Sequence, residues 1–250
     1  MTGAPAFPPG HRIRVFPDAE TLFEEGATLF ANAISGLPRG ARVVLPGGST
    51  PRALYRQVLR ARPGLEWSSF RYVTSDERCV PLDHPESNFG RLWSDLLGPL
   101  GVDRERVLRL RGEDPPEQAA EKANRELVDL AQRVPLFDLV ILGLGEDGHT
   151  ASLFPAETWP DFGTHWAAST RHPEGAWRLT LTPAALRSTR VTWFLVVGSA
   201  KADAVARSLL APEPSPLVPS RMAVGPEVLW ILDPEAASGL PDAWRRGETG

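Results

Sequence analysis

Short apolar runs rich in β-branched residues alternate along the chain with segments whose apolar positions recur at helical spacing. Residues 12–16 read as a strand, and Asp18 as the N-cap of a helix reaching about Ser35, where residues 36–40 break it. Residues 41–45 form a buried strand and then a Gly-rich turn. Pro51 is placed at the first position of the next helix, where its missing N–H costs nothing. Residues 70–74 are a further strand. Over residues 87–97, Phe89, Leu92, Trp93, Leu96 and Leu97 share one helical face. Residues 107–110 read as a strand, and Pro115 and Pro116 open a helix to about Arg133. FDLVIL, 137–142, is a continuous apolar strand ending in glycines. Two more strands are expected at 178–182 and 191–197, a helix at 201–210 with Ser199 near its start, and a last strand at 228–232. The Pro-rich stretch 211–219 reads as a surface loop, and residues 245–250 as frayed.

Strand, Gly-rich turn, helix, repeated, predicts a three-layer α/β/α fold around a mostly parallel, doubly wound sheet. No internal repeat or linker interrupts it, so residues 1–250 read as a single domain with its core at about 12–233 and flexible termini. Composition fits a globular chain: 42% hydrophobic and 23% charged residues over 250 positions. No stretch approaches the roughly 20 apolar residues of a membrane helix. Residues 1–10 lack the cationic start and apolar run of a signal peptide. Cys79 is the sole cysteine, so no disulfide forms within the chain, which suits a cytoplasmic location. A net charge of -4 argues against a nucleic-acid partner. Only Lys122 and Lys201 are lysines among 27 basic residues, so each lysine carries more information than usual.

In such sheets ligands bind beyond the carboxyl ends of the strands. The sequence after residues 43–45 is PGGSTP. Gly47 and Gly48 let the backbone approach a ligand, Ser49 and Thr50 add hydroxyls, and the helix start adds free N–H groups. This is phosphate-site chemistry without a dinucleotide fingerprint or a Walker loop. TSDERCVP, residues 74–81, follows another strand. Asp76 there can act as a base or orient one, Arg78 can fork onto a phosphate, and Glu77 is read as a bystander. Ser87 and Asn88 read as helix caps. GLGEDGHTASLFP, residues 143–155, is the richest stretch. Asp147 and His149 flank Gly148 at the sheet edge, where a histidine in a glycine turn is poised for acid–base work; Thr150 and Ser152 read as caps. His11, His84, His165 and His172 are scattered as structural or surface residues, and no metal-ligand spacing appears, so no metal is expected. Lys201 lies at a helix start after residues 193–197, as a compact phosphate-binding charge. Lys122 reads as a surface residue. Arg178, before LTLT, either enters the site or makes a rim ion pair.

LPGGSTPRALY (45–55), SDERCVPLDHPESNFG (75–90), FDLVILGLGEDGHTASLFP (137–155), RLTLTPAAL (178–186) and VVGSAKADAV (196–205) together resemble the 6-phosphogluconolactonase family, in order and spacing, from about residue 12 to 233. The resemblance implies hydrolysis of 6-phospho-D-glucono-1,5-lactone to 6-phosphogluconate, the second step of the oxidative pentose phosphate pathway. It also implies the fold shared with glucosamine-6-phosphate deaminases and ribose-5-phosphate isomerases, with no cofactor. The family's catalytic histidine falls on His149 and its acidic partner on Asp76. Its phosphate-binding residues fall on Arg78, Lys201 and the loop Gly48, Ser49 and Thr50. The deaminase branch is the alternative; it continues its GxDGH turn into an AFNEP-type sequence with a ring-opening glutamate. ASLFP, 151–155, has no carboxylate, and Asp-Glu-Arg stands here for the deaminases' Asp-Glu-Tyr. A non-catalytic sugar-phosphate sensor would need a DNA-binding helix-turn-helix, and only about a dozen residues precede the first strand.

The expected partner is a small sugar-phosphate lactone, handled by a monomer, with a weak dimer as the alternative. His149 is expected to serve as general base and then as acid, oriented by Asp147 or Asp76. Backbone N–H groups of residues 143–149 are the expected oxyanion donors.

Overall fold

The computed structural model describes residues 7–61, 64–157, 159–210 and 216–247. Among the described residues ten strands run β1 (His11–Val15), β2 (Arg42–Leu45), β3 (Arg71–Thr74), β4 (Asp76–Arg78), β5 (Val107–Leu108), β6 (Phe137–Leu142), β7 (Ala167–Arg171), β8 (Trp177–Leu181), β9 (Thr189–Val196) and β10 (Glu227–Leu232). Seven make one parallel sheet, in the order β1-β10-β9-β6-β2-β3-β5. The order reverses between β2 and β6. One half of the sheet winds outward through β3 and β5, the other through β9, β10 and β1. The adjacent carboxyl ends of β2 and β6 therefore frame a crevice.

Helices cover both faces. α1 (Ala19–Ser35) and α2 (Ser49–Ala61) bury Leu22, Phe30, Ile34, Leu54, Tyr55 and Val58 against Val43, Leu45, Leu139 and Ile141. α3 (Asn88–Leu92) is short. α4 (Pro116–Leu130), α5 (Pro183–Arg187) and α6 (Ala202–Leu210) pack on the opposite face, over Val44, Val140, Leu142 and Phe194. Alternate residues of each strand feed alternate layers, which is why the central strands read as unbroken apolar runs. β6 is buried at every position, Asp138 included. Its carboxylate accepts the Arg42 N–H at 2.9 Å and pairs with Arg133, so the one charge in FDLVIL is compensated.

Asp18 caps α1, accepting the Thr21 N–H at 2.7 Å. α2 begins at Ser49, two residues before the expected Pro51 start, so Ser49 and Thr50 belong to its first turn. The expected single helix over 87–97 is α3 followed by a wider turn, Trp93–Leu97, closed by the Gly98 N–H on Trp93 O at 2.9 Å. β4, β8 and β7 form a separate antiparallel sheet that the hydrophobic pattern does not reveal. Residues 245–250 are expected to fray, but Arg245 ends a short helix, Asp242–Arg245, and the N–H groups of Arg246 and Gly247 close its last turn on Asp242 O at 3.2 Å and Trp244 O at 3.1 Å. The helix buries Trp244, which meets the Phe7 ring edge-on at 4.8 Å. The rest of that expected fraying, residues 248–250, and positions 211–215 of the Pro-rich loop lie outside the described residues, as do residues 1–6. His11 is structural: it accepts the Trp230 indole N–H at 3.2 Å, and burial, with the nearby Arg221 charge, lowers its pKa to about 4. Among the described residues no helix is long and apolar enough to cross a membrane.

Candidate active site

A cavity of about 480 Å³ opens at the reversal point of the sheet. Its walls come from the ends of β2, β3, β6 and β9. They bring together Gly47, Gly48, Ser49, Thr50, Asp76, Arg78, His149 and Lys201, residues spread over more than 150 positions of sequence. The wall after β2 is the Pro46–Thr50 turn. Gly48 sits at φ +98°, a conformation that favours glycine, and turns the chain directly into α2. The leading N–H groups of α2 have no carbonyl within the helix to bond, and they carry the positive end of its dipole.

The wall after β6 is built the other way. Within the 145–149 turn, Gly145 N–H bonds His149 O at 2.8 Å and Gly148 N–H bonds Gly145 O at 3.0 Å. The Asp147 carboxylate accepts the His149 backbone N–H at 3.0 Å and lies 2.6 Å from its Nδ1. An ionised carboxylate only accepts, so Nδ1 carries the proton and Nε2 of the neutral ring is left with its lone pair. Burial opposes ionisation of Asp147, but the His149 N–H and imidazole outweigh it and hold the carboxyl below its ordinary value. The pair fits because residue 145 has no side chain: a Cβ there would lie 2.1 Å from His149 Nδ1. Phe154 covers the imidazole, ring centroids 5.1 Å apart. Three N–H groups of the 143–149 turn, those of Gly145, Gly148 and His149, are thus spent inside it, which narrows the expected oxyanion donors to the others.

Asp76 lines the same cavity without a hydrogen bond to His149. Its Oδ1 accepts from the Ser75 hydroxyl at 2.7 Å and its Oδ2 from Ser152 at 2.9 Å. Of the two carboxylates left open by the sequence, the one in contact with the imidazole is Asp147. Arg78 donates to Glu86 O at 3.0 Å while lining the cavity. Lys201 lines the cavity too, 3.8 Å from the Glu146 carboxylate. Two N–H groups at the helix start beside Lys201 are already taken: Gly198 N–H reaches both Asp233 oxygens at 3.0 and 3.1 Å, and Ser199 N–H reaches Glu235 at 3.2 Å. The lysine ammonium is the full positive charge that this end of the cavity offers an anion. Arg178 does not line the cavity. It lies opposite Arg78 in the β4–β8 ladder and donates to Trp177 O at 3.1 Å.

Several residues escaped the sequence reading. Glu77 is no bystander. Its buried carboxylate accepts the N–H groups of Arg78, Asn88 and Phe89 at 2.7, 2.6 and 2.9 Å and the Ser87 hydroxyl at 3.1 Å. Burial raises its pKa, and the three N–H groups oppose that rise. This carboxylate fastens α3 onto β4, and so brings Asn88 and Arg91 to the cavity wall. Their spacing of three, one helical turn, was the available signal. Ser152 serves Asp76 and not merely a cap. Among the described residues no three His, Cys, Asp or Glu side chains converge as a metal-holding group.

Residues 17–230 match the family model described as glucosamine-6-phosphate isomerases/6-phosphogluconolactonase. The chain belongs to this family. A relative in this glucosamine-6-phosphate isomerase/6-phosphogluconolactonase family, the protein named 6-phosphogluconolactonase from Treponema pallidum, is 39% identical over 184 residues, 71% of this chain and 75% of that one. The solved 6-phosphogluconolactonase of Thermotoga maritima superposes with a TM-score of 0.75 at 28% identity, covering 89% of this chain and 99% of its own. A monomeric glucosamine-6-phosphate deaminase superposes with a TM-score of 0.78 over 92% of this chain and 100% of its own. At 22% identity that likeness is one of fold alone.

Proposed function

We propose that this chain hydrolyses 6-phospho-D-glucono-1,5-lactone to 6-phospho-D-gluconate, the second step of the oxidative pentose phosphate pathway, as a cytoplasmic monomer without a cofactor. The observation that carries the reading is the His149–Asp147 pair at the wall of a cavity that also holds Arg78, Arg91 and Lys201. His149 Nε2 takes a proton from water as the water oxygen bonds to the lactone C1. The ring C1–O bond then breaks, and the imidazolium returns the proton to the departing ring oxygen. Asp147 fixes the tautomer and stabilises the transient cation. The 46–50 turn, Arg78 and Lys201 hold the 6-phosphate, and that remote binding energy positions C1 over the imidazole. Asp76, tied to Ser75 and Ser152, faces the sugar hydroxyls from the third wall.

Residues 151–155, ASLFP, favour this reading over the deaminase one, because an aromatic ring and not a carboxylate follows the turn and packs on His149. The test is a lactonase assay on freshly generated lactone, with spontaneous hydrolysis subtracted, beside a glucosamine-6-phosphate deaminase assay. Lactone turnover without ammonia release is expected. Ammonia release without lactonase activity would reverse the assignment.

A further inference from the structure

A guanidinium on α6 anchors the backbone of the 145–149 turn from outside. Arg207, in the second turn of α6, spends its guanidinium on three acceptors. Nε donates to Asp203 at 2.7 Å, one helical turn back. The two terminal nitrogens reach consecutive carbonyls of the turn, Glu146 O and Asp147 O, each at 3.2 Å. The Asp203 contact fixes the plane of the fork, and the fork fixes the peptides on either side of the Asp147 side chain. The same helix is entered through Lys201, whose ammonium lies 3.8 Å from the carboxylate of Glu146. Imidazole partner and cavity lysine are therefore both referred to α6.

We infer that Arg207 is a positioning residue: its fork holds the two peptide groups that flank Asp147, so that Asp147 keeps His149 aimed into the cavity. This rests on the proposed role of His149 and extends it to a residue that touches no substrate. A loosened fork displaces the imidazole by a fraction of its reach, and turnover is more sensitive to that than affinity.

The experiment pairs kinetics with the proton spectrum of the histidines. The hydrogen-bonded Nδ1 proton of His149 is identified by its disappearance in His149→Ala. Arg207→Met should lower kcat by about 10–100-fold with KM changed less than about threefold, and should shift or broaden that resonance. Arg207→Lys keeps the charge but has no fork, so it should recover only a small part of the loss. Asp203→Asn, a milder change that also serves if Arg207→Met does not fold, should lower kcat by about 2–5-fold with the same spectral sign. Full recovery in Arg207→Lys, an unmoved resonance, or a loss confined to KM would each overturn the inference. The resonance reports the His149–Asp147 bond whether or not that pair does chemistry. Failure of the base assignment would show separately, as normal turnover in His149→Ala.

Discussion

The turns after β2 and after β6 lie side by side at the reversal point of the sheet, and they use their backbone in opposite ways. The 46–50 turn ends in the start of a 13-residue helix, where leading N–H groups have no intrahelical acceptor. The 145–149 turn spends the N–H groups of Gly145, Gly148 and His149 on itself and on the Asp147 carboxylate, and it presents one oriented imidazole. An anion site needs donors left open. A general base needs its ring held still. A glycine-rich strand end serves either purpose, and the hydrogen bonds around it decide which.

The comparison is easiest to break at Gly145. A methyl group there would fall 2.1 Å from His149 Nδ1 and 2.6 Å from the Asp147 carboxylate, so Gly145→Ala must push the pair apart. We expect kcat to fall by about 10²-fold or more in a protein whose circular dichroism is unchanged. Turnover within a few-fold of the parent would show that the pair tolerates displacement, and would weaken its assignment to the chemistry.

On the binding side, the corresponding support is Glu77. Glu77→Gln replaces one carboxylate oxygen by a donor facing donors. The folded state should lose about 2–3 kcal/mol, read by urea unfolding, and KM should rise as α3 loosens. Unchanged stability would mean that the four contacts are dispensable. The smallest effect is expected at His11, distant from both turns. Its folded pKa, about 4, lies below the ordinary 6.5, so the unfolded chain binds the proton first as pH falls. The stability it contributes is complete above about pH 6.5 and is lost progressively toward pH 4. His11→Gln keeps an acceptor for Trp230 and should flatten that loss by about 1–2 kcal/mol, allowing for partial solvent screening, with kcat unaltered. An identical pH profile of stability in the variant would remove His11 from the account.

How much of this could be read beforehand follows the same division. β6 was readable to the residue because burial on both faces writes six apolar-flanked positions in a row. α1 was readable because its cap and its periodicity agree. β4 was not. Its three residues, Asp-Glu-Arg, have no strand pattern of their own, and they become a strand only because β8 pairs with them from a hundred residues away. β7, Ala-Ala-Ser-Thr-Arg, is equally silent. At the site, His149 stood out because its neighbours in sequence, Gly145 to Gly148, are also its setting, and Lys201 because it is one of two lysines and follows a strand end. Glu77 and Arg207 did not, since their partners lie about ten and sixty positions off. The distinction between Asp76 and Asp147 was likewise invisible, because it depends on Ser152 reaching back to Asp76.

The most direct test of the division of labour compares two variants on two substrates. His149→Ala and Lys201→Ala are assayed on 6-phosphogluconolactone and on unphosphorylated gluconolactone, with Lys122→Ala as the control. We expect His149→Ala to lower kcat by about 10²–10⁴-fold on both lactones. Lys201→Ala should lower kcat/KM by about 10–150-fold on the phosphorylated lactone and leave the poor turnover of the other nearly unchanged. Equal losses on both substrates in Lys201→Ala, or near-normal turnover in a folded His149→Ala, would contradict the account.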